Sequence, residues 1–205
     1  MENSVLLLID VQKGFTDVNG SFGKSFDPEI NLLQIQQSLP HVKNCFEFFQ
    51  KNKIPILLVR SEFKFKQFPE KGLENLCVKE NNNDCEFTDG IFENFLNSKI
   101  ITKTENSSMT SEEFEKEIKD LIEKKRCKFL VGGFSTNTCV RKTCLNLKEK
   151  YHKKIEIFIS NDITASRSDS KDLENGRFDA KRFFRAKKQL EENGIVFLED
   201  FKSYF

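Results

Sequence analysis

Three residues stand where nucleophilic chemistry could be done: Asp10, Lys103 and Cys139. Cys139 lies in Val-Gly-Gly-Phe-Ser-Thr-Asn-Thr-Cys-Val (131–140), an apolar run that passes through two glycines and small polar residues into a helical pattern. A thiol at a helix N-terminus feels the positive end of the macrodipole, which lowers its pKa. The unpaired N–H groups there can also hold an oxyanion. The same residue is compatible with a plain buried role, the one read for Cys45, Cys127 and Cys144. The chain's histidines are His41 and His152, neither beside Cys139, which disfavours a papain-like Cys-His pair and leaves Asp10 as the candidate base. Asp10 directly follows the apolar run Val5–Ile9, so its carboxylate needs a partner or a raised pKa, unless it only caps the Gln12–Phe15 turn. Lys103 ends Ile-Ile-Thr-Lys. Read alone it is one solvated charge among 33 Lys and Arg; near Cys139 it would favour the thiolate and keep the carboxylate charged.

The elements that must position these groups alternate along the chain. Val5–Ile9, Pro55–Val59, Ile100–Lys103, Phe129–Val131, Ile155–Ile159 and Ile195–Leu198 read as short buried strands. Between them, 40–52 has apolar residues at helical spacing with Pro40 suited to a first turn. Thr110 and Glu113 have capping-box spacing ahead of the stripe Phe114, Ile118, Leu121 and Ile122. Helices are also predicted over 138–150 and 181–193, the second stopped by Gly194. Residues 61–98 are irregular, and Asn81-Asn82-Asn83-Asp84 marks a surface loop. Strands alternating with helices imply βαβ units and an open, mostly parallel sheet covered on both faces. Ligands of such sheets sit outside the carboxyl ends of the strands, which directs attention to Asp10, Arg60–Phe63, Lys103 and Gly132–Cys139.

Length and composition bound the function classes. A chain of 205 residues can bury roughly 70% of its unfolded surface and reads as one domain over residues 1–205, with no need of a metal or disulfide to fold. A net charge of +1 argues against an electrostatic grip on nucleic acid or anionic membrane, and Lys124, Lys125 and Arg126 read as a solvated helix end. No apolar stretch is long enough to span a bilayer, and the acidic start with its short apolar run does not read as a signal peptide, so a cytoplasmic protein is expected. Six cysteines without a CxxC pair, and with no histidine beside a cysteine pair, fit reduced thiols better than a disulfide framework or a structural zinc site.

Leu-Leu-Leu-Ile-Asp-Val-Gln-Lys-Gly-Phe (6–15), Lys-Thr-Glu-Asn-Ser-Ser-Met (103–109) and Gly-Phe-Ser-Thr-Asn-Thr-Cys-Val (133–140), in this order, together resemble the isochorismatase-like cysteine hydrolases, the superfamily of nicotinamidases and N-carbamoylsarcosine amidase. The resemblance spans nearly the whole chain. It implies a three-layer α/β/α fold around a six-stranded parallel sheet and a catalytic Asp10–Lys103–Cys139 triad. It also implies a cis peptide between Phe134 and Ser135, with an oxyanion hole made by the Ser135 and Cys139 N–H groups. The implied reaction is cleavage of a C–N bond in a small amide or ureido substrate through a thioester, without a cofactor, in a homodimer or homotetramer.

Departures from the family pattern bear on the substrate. Isochorismatases proper lack this cysteine, so its presence favours C–N hydrolysis over vinyl-ether cleavage. Nicotinamidases usually carry Asp-x-His and a further His after the second strand as metal ligands, whereas here that place reads Arg60-Ser61-Glu62-Phe63. A metal-dependent nicotinamidase is therefore not expected. Ser135 stands where Ala is usual and Asn137 where Asp is frequent. Phe15 and Phe134 adjoin the motifs and are read as pocket walls, with Arg60 as a carboxylate anchor. Phe63, Phe65 and Phe68 either join that wall or fill core or a subunit contact. Two other readings stand beside the hydrolase: an inactive relative that binds a ligand or partner, and a nicotinamidase that works without the metal.

Overall fold

The structure is a computed structural model that describes residues 3–25, 31–68, 72–80, 83–167 and 181–205. Six strands, β1 (Ser4–Ile9), β2 (Ile56–Ser61), β3 (Ser98–Lys103), β4 (Lys128–Phe134), β5 (Glu156–Ala165) and β6 (Val196–Leu198), form one sheet in the order β3-β2-β1-β4-β5-β6. Every pairing is parallel. The strand order reverses between β1 and β4, and the crevice outside their carboxyl ends is where such sheets receive ligands.

Period-two alternation divides the core into two clusters. Leu6, Leu8 and Leu58 face helix α3 (Leu33–Lys51) and the 62–97 segment, while Leu7, Ile9, Val59 and Ile101 face α4 (Glu112–Glu123), α5 (Arg141–Tyr151) and α6 (Lys181–Glu192). The result is three layers, α/β/α. Two single-turn helices, α1 (Lys13–Thr16) and α2 (Ser21–Ser25), follow β1. All six residues of β1 are buried, which explains its unbroken apolar run. Among the described residues no helix is long and apolar enough to cross a membrane.

Several predicted boundaries move. Pro40 lies inside α3 instead of opening it. The buried stripe Ile35, Ser38, Val42, Cys45, Phe46 and Phe49 runs through the proline, and that packing offsets the lost N–H, which costs about 3 kcal/mol in a free helix. Ser111, not Thr110, caps α4: its hydroxyl accepts from the Phe114 N–H at 3.4 Å, while the Thr110 hydroxyl donates to the Ser107 carbonyl. β5 runs six residues past its predicted end at Ile159, because after an irregularity its backbone pairs with β4 again, Thr164 with Gly133 and Ala165 with Phe134. Gly194 has φ +73°, the left-handed conformation that ends a helix. Asn81 and Asn82 lie outside the described residues. Their neighbour Asp84 is no surface residue: it is buried and accepts from the Ser21 hydroxyl and, at 3.4 Å, from the Cys77 N–H.

Candidate active site

Asp10, Lys103 and Cys139 meet at the carboxyl ends of β1, β3 and β4. The register pairs Ser61 with Lys103, so both project from the face that Val59 and Ile101 occupy. By alternation Asp10 would point to the opposite face, one residue beyond Ile9. Its φ of +56° breaks that alternation, a conformation Asp tolerates better than most residues, and its N–H still donates to the Val59 carbonyl at 2.8 Å. The carboxylate thereby reaches Ser61 and Lys103.

The three groups and Ser61 are almost fully enclosed. Lys103 Nζ lies 2.8 Å from Asp10 Oδ2, with neither side chain exposed. It donates to Ser61 Oγ at 2.6 Å and to the Glu105 carbonyl at 3.1 Å. The Phe63 ring stands 5.1 Å from the ammonium, and Phe68 packs edge-on against Phe63. Ser61 Oγ in turn donates to Asp10 Oδ1 at 2.9 Å. Gln12 holds the end of β2 by accepting from the Ser61 N–H at 2.6 Å and donating to the Ser61 carbonyl at 3.0 Å.

Cys139 Sγ lies 3.6 Å from Lys103 Nζ and 3.6 Å from Asn106 Oδ1. The turn that carries Cys139 is not the start of an α-helix, as the pattern suggested. Thr136–Val140 form one π-helical turn, and α5 begins only at Arg141. The Phe134–Ser135 peptide is cis. The Ser135 carbonyl accepts from the N–H groups of Thr138 and Val140, and its hydroxyl meets Asn137 Oδ1 and Thr138 Oγ1. From β5, Thr164 bonds Thr136 and the Gly133 carbonyl, and Ser166 accepts from the Asn137 N–H. Gly133 has φ +102°, and a Cβ there would sit 1.9 Å from the Ile9 carbonyl oxygen. Only glycine lets β4 approach β1 this closely before the turn.

The electrostatics correct one expectation. Burial pushes the Cys139 thiol up to about 12; Lys103 pulls it down and Asp10 pushes it further up. Desolvation by three layers of packing outweighs the nearby cation, so the thiol is not lowered. Burial also pulls Lys103 down, but the charges of Asp10 and Cys139 more than offset this and hold it above its usual value. The thiol therefore stands neutral beside a buried ammonium–carboxylate pair.

The predicted pocket residues fare differently. Phe134 is fully buried in the α3-side core, and Phe15 packs there edge-on against Phe22 at 5.0 Å. Arg60 does not join the site: parity puts it on the face opposite Ser61, where it bonds Thr102 and pairs with Glu62 at 3.0 Å. Ser61, Gln12 and Asn106 are the members that were not singled out as site residues. Ser61 carried no signal in the sequence, because its place follows from the register of β2 with β3.

A six-stranded parallel sheet in this order, with charged groups at its switch point, defines an open α/β fold of the kind that binds small ligands there. The model of the isochorismatase domain matches residues 4–181, and the chain belongs to that family of hydrolases. No curated protein sequence matches the chain significantly. Among solved structures, it is similar to a pyrazinamidase of Pyrococcus horikoshii in complex with zinc, at 18% identity and TM-score 0.70 over 96% of this chain and 98% of that one. A nicotinamidase from Bacillus subtilis matches at 17% identity and TM-score 0.70, over 96% and 99%. N-carbamoylsarcosine amidase from Thermoplasma acidophilum matches at 13% and TM-score 0.65, over 95% of each chain.

The residues at the end of β2, where the sequence departs from the nicotinamidase pattern, do not suit a zinc ion. Ser61 spends its hydroxyl between Asp10 and Lys103, Glu62 is paired with Arg60, and Phe63 offers no ligand atom. Among the described residues no three His, Cys, Asp or Glu side chains gather as a ligand set.

Proposed function

We propose that the chain is a single-domain, metal-independent cysteine hydrolase that cleaves a C–N bond in a small amide or ureido substrate. The observation that carries this reading is the buried ammonium of Lys103, 2.8 Å from the Asp10 carboxylate and 3.6 Å from the Cys139 sulfur. Asp10 takes the thiol proton as the sulfur attacks the carbonyl carbon, and Lys103 stays protonated beside both. The carbonyl π electrons move to oxygen, and the oxyanion rests on the N–H groups of Ser135 and Cys139. Collapse re-forms the carbonyl and breaks the C–N bond. Asp10 returns its proton to the departing nitrogen, leaving ammonia or an amine and an acyl thioester on Cys139. Asp10 then accepts a proton from water as the water oxygen attacks the thioester; collapse breaks the C–S bond, and Asp10 returns the proton to the departing sulfur, restoring the thiol as the acid leaves.

In this reading the substrate is a small molecule, no cofactor takes part, the assembly is a homodimer or homotetramer, and the protein works in the cytoplasm. The test is a panel of small amides and ureides scored by ammonia or amine release, with Cys139→Ala as control. Turnover by the parent and its loss in the variant are expected; equal turnover in both would overturn the mechanism.

A further inference from the structure

We propose that Ser61 is a positioning residue that fixes which oxygen of Asp10 serves as the base. The inference rests on the hydrolase reading above and deepens it. Ser61 Oγ has one proton, and the geometry commits it to Asp10 Oδ1 at 2.9 Å. The same oxygen accepts from Lys103 Nζ at 2.6 Å, which keeps the hydroxyl proton turned towards the carboxylate. Among the described residues, Asp10 Oδ2 takes no aligned hydrogen bond, although the ammonium lies 2.8 Å away as an ion pair. A buried carboxylate oxygen without an aligned donor is costly to maintain and is the natural acceptor for a proton delivered from elsewhere. With Oδ1 pinned by Ser61, Oδ2 is the oxygen left for the Cys139 thiol. Gln12 completes the device, because its side-chain amide grips both the N–H and the carbonyl of Ser61 and fixes where the hydroxyl stands. The titratable groups around the carboxylate are Lys103 from β3, Cys139 from the turn after β4, and Cys77 from the 62–97 segment.

The assay needs no substrate: Cys139 alkylation by iodoacetamide, read by mass spectrometry at pH 7.5, far enough below the thiol's raised pKa that attack depends on a base to take its proton. The parent is compared with Ser61→Ala, and Ser61→Thr with Ser61→Val, a pair of one shape that differs in the hydroxyl and carries the test if the alanine variant does not fold. Asp10→Asn supplies the background, or Asp10→Asn/Lys103→Met where the single variant does not fold. Loss of the hydroxyl is expected to slow labelling about tenfold or more, as a misplaced base does. Thr should label near the parent rate and Val near the Ala rate. Because Ser61 acts through Asp10, its removal should change nothing further in the Asp10→Asn background. Parent-like labelling in Ser61→Ala, equal rates in the Thr and Val variants, or a Ser61 effect that persists without the carboxylate would each overturn the proposal and leave the triad standing. Unchanged labelling in Asp10→Asn itself would instead overturn the triad and the proposal with it.

Discussion

Removing either charge of the Asp10–Lys103 pair should cost far more than removing both. Neither side chain is exposed, and the two charges are 2.8 Å apart. In Lys103→Met the carboxylate keeps one donor, Ser61. In Asp10→Asn the ammonium keeps no anionic partner, only the neutral acceptors Ser61 Oγ, the Glu105 carbonyl and the Cys139 sulfur among the described residues. A buried charge stripped of its partner costs about 3–5 kcal/mol, whereas replacing a buried pair by neutral groups is often close to neutral. For a chain of this size 1 kcal/mol corresponds to about 2–4 °C, so each single variant should melt about 6–20 °C below the parent. The double variant should recover most of that loss, giving an interaction energy of about 3 kcal/mol or more in a double-mutant cycle. The pH dependence has a definite sign. The folded protein holds the Lys103 pKa above its unfolded value, so the stabilisation is complete below the unfolded value of 10.5 and is lost as pH rises through the folded one. The gap between parent and Lys103→Met should therefore be full at pH 7–9 and close in stronger alkali. Urea or thermal unfolding of the four proteins reads all of this. Single-variant costs under about 1 kcal/mol, below what a stripped buried charge demands, or a double variant less stable than either single one, would refute the argument.

Three further outcomes can be checked directly. Cys139→Ala should lower turnover of any amide the parent hydrolyses by a factor on the order of 10⁴ while its melting curve stays cooperative, since the proposed mechanism makes the deleted atom the nucleophile. Burial pushes the Cys139 thiol up to about 12, so its iodoacetamide labelling should climb about tenfold per unit between pH 9 and 11; an ordinary thiol levels off above about 8.5, and levelling at Cys139 by pH 10 would contradict the burial argument. Gly133→Ala places a Cβ 1.9 Å from the Ile9 carbonyl oxygen at a φ of +102°, so it should lose the folded state or more than about 4 kcal/mol of stability, read by circular dichroism; a parent-like melting curve would refute the close approach of β4 to β1.

Much of this architecture is legible before any coordinates. Buried parallel strands read as plain apolar runs, and the residue that ends each run is the one exposed to a ligand at the sheet's edge. That logic points to Asp10 and Lys103, and the strand–turn–helix pattern after β4 points to Cys139; the structure brings the three together. What it does not reach depends on relations between strands. Ser61 belongs to the site because β2 and β3 pair Ser61 with Lys103, and Arg60 leaves it for the same reason, one residue out of phase. Parity along β2 would have excluded Arg60 as a carboxylate anchor, because Val59 faces the α4 side and its neighbour must face the other. The direction of the thiol's shift was out of reach for a different reason. A strand–turn–helix pattern speaks only of the local dipole, while desolvation sums over every element that covers the sulfur.

The same contrast explains how a costly group of charges persists at the centre of the fold. Lys103 and Ser61 lie two residues beyond Ile101 and Val59, in phase with the apolar face that α4, α5 and α6 cover. They are buried because they continue a hydrophobic pattern, not because their own chemistry favours it. Asp10 is out of phase and joins them only through its left-handed backbone, stabilised there by the ion pair and the Ser61 hydroxyl. Each group is therefore held by another: the ammonium needs the carboxylate, the carboxylate needs the turn, and the serine fixes both. Such mutual dependence turns a desolvation cost into a fixed geometry, and it predicts that single substitutions here will be felt first as lost stability and only then as lost chemistry.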